Sequence, residues 1–151
     1  MKNEIGEKSK VFAETLYELM EDHGITGKEL AAALGVDGAA VYRYLNGDCL
    51  PEFAVLKKLC LTFGISADYA FGLREGKEGG FRLAQNTFYE RYAKLKRPTR
   101  ERDHEVAVAC RISASAICGW KKGSAPSATS LLKLAEHYHA PLDYLLGLNG
   151  D

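Results

Sequence analysis

The sequence carries no excess of either charge, with 20 Lys and Arg against 20 Asp and Glu. A global basic balance of the kind that would by itself indicate nucleic acid is therefore absent. Its four cysteines, Cys49, Cys60, Cys110 and Cys118, form no C-x-x-C pair, and the four histidines do not gather with them. This excludes the usual zinc spacings and leaves reduced, mostly buried thiols as the expectation. No apolar run approaches the roughly 18 residues that span a bilayer. Met1 to Lys10 is polar and charged, unlike a secretory leader, so a cytoplasmic protein is expected. A Gly-rich phosphate loop, H-E-x-x-H and G-x-S-x-G are all missing, which argues against an enzyme and against any cofactor or metal. His137 and His139, flanking Tyr138, read as surface or interhelix residues rather than as a catalytic pair.

What is present is a distribution. Residues 1–76 hold 8 Lys and Arg against 12 Asp and Glu, and residues 77–151 hold 12 against 8. If one half touches phosphates, the second is the better placed. The length accommodates one medium core or two small ones of about 60 to 70 residues, and an internal repeat favours two. At an offset of about 76, Phe12, Leu19, Glu29, Ala31, Ala33 and Gly47 meet Phe88, Leu95, Glu105, Ala107, Ala109 and Gly123. One residue is dropped after the glycine, and at an offset of about 75 Pro51, Leu56 and Leu59 meet Pro126, Leu131 and Leu134. Duplication of one domain follows as the expectation, with a first domain over 1–75, a Gly-rich linker over 76–82 that suits a flexible connection, and a second domain over 83–151.

Within the first copy, Phe12, Leu16, Leu19 and Met20 share one face of a helix that ends near Gly24. Thr26 and Glu29 form a capping box that starts a second helix with Leu30, Ala31 and Leu34 inward. Gly35 suits the left-handed residue that ends it, and Asp37 caps a third helix through about Leu45. Two short helices joined by a tight glycine turn make a helix-turn-helix. Pro51 suits the first turn of a fourth helix, carrying Val55, Leu56, Leu59, Cys60 and Phe63, and Ser66 caps a short fifth. No stretch alternates with period two, so strands are not expected. The second copy follows the same course. There Arg111 replaces the turn glycine and Arg102 replaces Thr26, so the cap is expected from Asp103; Ser113 caps helix three and Pro141 opens helix five.

The run Lys28-Glu29-Leu30-Ala31-Ala32-Ala33-Leu34-Gly35-Val36 and the following Val41-Tyr42-Arg43-Tyr44-Leu45-Asn46-Gly47 resemble the phage-repressor, Cro-like (XRE-type) helix-turn-helix family. Asp68-Tyr69-Ala70-Phe71-Gly72-Leu73 and Asp143-Tyr144-Leu145-Leu146-Gly147-Leu148 resemble its closing segment. The resemblance implies an all-α chain of two tandem five-helix, lambda-repressor-like DNA-binding domains. It also implies a transcriptional regulator whose recognition helices, about 38–45 and 114–121, enter the major groove of double-stranded DNA. Base-facing positions then fall on Gly38, Ala39, Ala40 and Arg43, and on Ala114, Ser115, Ala116 and Gly119.

Base readout relies on Arg, Asn or Gln, each worth about 1–3 kcal/mol of discrimination, and these helices offer few. Arg43 is the one strong donor of the first copy, for a guanine or a phosphate. In the second, Ser113, Ser115, Lys121 and Lys122 border the same surface, with Arg100, Arg102 and Arg111 near helix two and the turn. These cations suit phosphate contact. Tyr44 and Trp120, late in helix three, read as core anchors, and Tyr42 as outward-facing toward a sugar-phosphate backbone or a protein. The smooth Gly/Ala surface motivates an alternative, a protein-interaction module with weak or lost DNA binding, engaging a homodimer partner or another protein.

Overall fold

A computed structural model describes residues 2–149, with residues 2–5 given by backbone alone. The described residues form helices and no strand. They divide into two compact units, the boundary falling between Gly79 and Gly80.

The first unit runs α1 (Lys2–His23), α2 (Gly27–Leu34), α3 (Gly38–Leu45), α4 (Phe53–Phe63) and α5 (Ala67–Ala70). Phe12, Leu16 and Leu19 recur at helical spacing and are fully buried on α1. They meet Leu30 of α2, Leu56 and Leu59 of α4 and the segment Ile65–Phe71 in one core, with Phe12 stacked on Phe71 at 4.9 Å. Each large side chain so buried contributes about 1.5–3 kcal/mol of transfer free energy. The starts are local chemistry. Thr26 and Glu29 close the expected capping box at α2, and Ser66 Oγ accepts from the Asp68 and Tyr69 amides at α5. Pro51 departs from expectation: it is buried just ahead of α4, whose N-cap is Glu52. A proline ring suits the approach to a helix as well as its first turn, and here Glu52, between Pro51 and α4, is the extended N-cap residue.

The second unit runs α6 (Phe88–Lys96), one 3-10 turn (Arg97–Thr99), α7 (Asp103–Cys110), α8 (Ala114–Lys121), α9 (Ala128–Tyr138) and α10 (Leu142–Leu145). Its core centres on Tyr92 and Trp120, whose rings lie 5.7 Å apart edge to face, with Phe88 edge-on to the indole at 5.3 Å. Such pairs add about 0.5–1.5 kcal/mol beyond burial.

The two units turn their chains at matching places. Left-handed residues stand at Gly24, Gly35, Gly47, Gly64 and Gly72 in the first, and at Arg100, Arg111, Gly123, His139 and Gly147 in the second. The turn bonds repeat as well. The Val36 amide donates to Ala31 O at 3.0 Å, as Ile112 does to Ala107 O, and the Leu73 amide donates to Asp68 O at 2.7 Å, as Leu148 does to Asp143 O at 2.8 Å. One tie is kept with different chemistry. Thr15 Oγ1 donates to Ala70 O at 3.2 Å in the first unit, and the buried Arg91 donates to Leu145 O at 3.2 Å through Nη2 in the second.

The connecting segment, expected to be flexible, is bonded to its neighbours. The Ser66 amide donates to Lys77 O at 3.0 Å and the Gly79 amide to Gly64 O at 3.1 Å, while the Arg82 and Ala84 amides donate to Leu148 O and Gly147 O. Lys77 Nζ reaches Glu18 at 3.0 Å and Asp22 at 2.5 Å, and Tyr69 OH donates to Glu18 at 2.9 Å. The bond from Lys77, then that from Tyr69, holds the Glu18 carboxyl below its ordinary range, and the two carboxylates, Asp22 foremost, raise the Lys77 ammonium.

Two outcomes test this fold. A non-glycine residue in left-handed backbone costs about 1 kcal/mol, so His139→Gly raises the stability of the second unit by about 0.5–1 kcal/mol. Urea unfolding followed by Trp120, the single tryptophan, reads this. Lys77→Ala exposes the segment Gly76–Gly80 to limited proteolysis at least several-fold faster than wild type, while the second unit's urea midpoint stays put.

Candidate nucleic-acid interface

Gly35, at φ 71, lets α2 end and the chain re-enter α3 within three residues. A side chain there is strained and its Cβ would also stand 3.4 Å from Lys58 Nζ. The Asp37 carboxylate then accepts from the Ala40 amide at 2.7 Å and starts α3. Val41 and Tyr44, three apart, are buried, so Gly38, Ala39, Tyr42 and Arg43 share the outward face. Tyr42 is 66% exposed, as its sequence neighbourhood predicts, and Tyr44 is a core residue. Ala40 is half-buried. The outward face thus consists of two small residues, one phenol and one guanidinium.

The second unit builds the same corner with less suitable residues. Arg111 takes the left-handed position at φ 56, and Lys133 Nζ donates to its carbonyl at 2.9 Å. Ser113 Oγ accepts from the Ala116 amide at 3.1 Å and lies 3.3 Å from Ser115 Oγ, so Ser113 is committed to its cap. Ile117 and Trp120 are buried on α8; Ala114, Ser115, Cys118, Lys121 and Lys122 are exposed, and Ala116 and Gly119 are half-buried.

The edge beside α7 is cationic. Arg100, at φ 59, ends the 3-10 turn, and Arg102 is the N-cap residue of α7. Arginine has no acceptor, so only the return half of a capping box forms, with Glu105 Oε1 accepting from the Arg102 amide at 3.0 Å. Among the described residues no ion pair holds Arg97, Arg100, Arg111, Lys121 or Lys122. Arg97 joins the site residues expected from sequence, and the run Lys94-Leu95-Lys96-Arg97-Pro98-Thr99-Arg100-Glu101-Arg102 is the signal that marks it.

Asp103, expected as the cap of α7, instead ties α6 to it. Its carboxylate accepts from Tyr89 OH at 2.8 Å and Tyr92 OH at 2.9 Å, and pairs with Lys96. Burial by itself would raise this carboxyl, but the bonds from Lys96, Tyr89 and Tyr92 outweigh it and hold Asp103 below the ordinary carboxylate range. Burial, with the bond to Asp103 behind it, pushes the Tyr89 phenol up to about 12. Across the same loop His137 Nε2 lies 3.0 Å from Glu101 Oε2. These contacts fix the turn that presents Arg97, Arg100 and Arg102.

Residues 16–69, from the middle of α1 to α5, match the model of the Helix-turn-helix family. In that stretch α2, the turn at Gly35 and α3 supply the helix-turn-helix that the description names. No curated protein and no solved structure matches the chain. Among the described residues no group of His, Cys, Asp and Glu is arranged to hold a metal, and no helix is long and apolar enough to cross a membrane.

A depressed carboxyl contributes stability above its unfolded value that is lost as pH falls through its folded value. The second unit accordingly resists acid down to below the ordinary Asp range, near 3.9. Asp103→Asn flattens that acid dependence in Trp120-monitored titrations and lowers stability at neutral pH by about 1–2 kcal/mol.

Proposed function

We propose that this protein is a DNA-binding transcriptional regulator, and that its second unit is a further copy of the helix-turn-helix domain found in the first. The match over residues 16–69, joined to the outward face of α3, carries the DNA-binding reading. The five left-handed turn residues at corresponding places support the duplication. On this reading the tandem domains cover 1–75 and 83–151, and α3 and α8 are the recognition helices that approach the major groove. Arg43 on α3 and the exposed cations around α7 and α8 are the groups available to phosphates or base edges. The protein acts in the cytoplasm without catalysis and without a cofactor.

A specific feature favours a second reading. The N-terminal halves of the exposed faces of α3 and α8 are made of small residues, Gly38, Ala39, Ala114 and Ser115, and Val108 on α7 is 77% exposed. Such a surface offers few hydrogen bonds to bases and suits close packing against a homodimer partner or another protein.

Fluorescence anisotropy with a mixed-sequence duplex over a salt series separates the two. The DNA-binding reading expects saturable binding at low salt whose affinity falls steeply and linearly on a log–log plot. Absence of binding at low salt, together with a concentration-dependent dimer in sedimentation, would transfer the assignment to the interaction module.

A further inference from the structure

We infer that duplex contact by this chain is carried by the cationic rim of the second unit, and that the first unit leaves the phosphate backbone uncontacted. This rests on the DNA-binding reading and assigns it to one unit and one mode of recognition.

The inference comes from the sign of charge at corresponding positions. Around the helix-turn-helix of the second unit stand Arg97, Arg100, Arg102, Arg111, Lys121 and Lys122, all exposed. At the corresponding places the first unit has Glu21, Gly24, Thr26, Gly35, Leu45 and Asn46. The recognition helices differ in the same sense. Asp37 caps α3 and Asp48 follows its end, where the second unit has Ser113 and Ser124. A carboxylate at a helix N-terminus occupies the place where an anion is otherwise favoured. Serine caps equally well and leaves that place neutral. Lys28 and Arg43 are the only cations on α2 and α3 to set against this.

Two structural observations stand beside the charges. The first unit's acidic edge already holds a cation, since Glu18 and Asp22 clamp Lys77. And Arg100 and Arg111 occupy left-handed backbone at φ 59 and φ 56, where the first unit uses glycine. Strain retained at a turn is most economically explained by what the side chain does. Of the three side chains the second unit holds in left-handed backbone, these two arginines belong to the rim, and the third, His139, ends α9. Because α8 presents almost no bidentate donor, the contact is to backbone rather than bases, so binding is strong in charge and weak in sequence preference.

The experiment uses the full chain and the same duplex. Arg100→Gly/Arg111→Gly removes two cations while relaxing both turns, and Arg97→Gln/Arg102→Gln removes two from exposed side chains without altering a turn. Each is expected to weaken low-salt binding by about tenfold or more and to reduce the log–log salt slope by about 2. The Trp120 urea midpoint holds or rises for the glycine pair, which separates lost binding from lost folding. Lys28→Ala/Arg43→Ala is expected to change affinity by less than about threefold. Binding that survives both second-unit pairs, or that falls as far with the first-unit pair, overturns the assignment while leaving the DNA-binding reading in place. Absence of binding by the wild type at low salt removes the DNA-binding reading itself, and the assignment with it.

Discussion

Everything presented on α3 and α8 depends on one backbone constraint, the left-handed residue that ends the preceding helix. At Gly35 and Arg111 the chain reverses within three residues, and the residue after it donates back to the penultimate turn, from Val36 to Ala31 and from Ile112 to Ala107. That closure determines which side of the next helix meets the core. Val41 and Tyr44 on one helix, and Ile117 and Trp120 on the other, then point inward, and every outward residue follows from their positions. A different residue at the turn changes the strain, but the hydrogen bonds that close it are the same in both units.

Much of this was legible locally. The capping box at Thr26 and Glu29, the turn at Gly35, the caps at Asp37, Ser66 and Ser113, and the inward Tyr44 and Trp120 all depend on residues within a few positions of one another. Pattern and capping chemistry act over that range. The contacts that escaped the sequence join residues far apart in it. Asp103 suggests a helix cap when read with its neighbours, yet its carboxylate serves Tyr89, Tyr92 and Lys96 of α6. Lys77 lies in a Gly-rich stretch that reads as loose, and only the positions of Glu18 and Asp22 on α1 reveal its clamp. Arg91 looks like a surface residue of a polar helix, and its burial follows from the carbonyl of Leu145 that it must satisfy.

The match to the Helix-turn-helix family covers residues 16–69, within the first unit, while the exposed cations gather in the second. These facts pull apart two things that are often read together. A well-formed corner, with its glycines and caps, reports scaffold chemistry, whereas contact with a polyanion requires charge on the presented surface. The first unit has the more favourable turn residues and the poorer surface for phosphate; the second has the reverse.

The net charge of zero conceals this division, because the acidic edge of one unit cancels the basic rim of the other in the sum. Electrostatic interaction works over a screening distance of about 8–10 Å, which is shorter than a domain, so the local balance rather than the sum sets the field at each surface. At Arg100 and Arg111 a cation stands in a turn that would be more stable with glycine. In the first unit the same two positions carry glycine, and its acidic edge holds Lys77 of the connecting segment. The two units thus share their plan of turns while differing in charge, with side chains in left-handed backbone at Arg100, Arg111 and His139 of the second where the first has glycine.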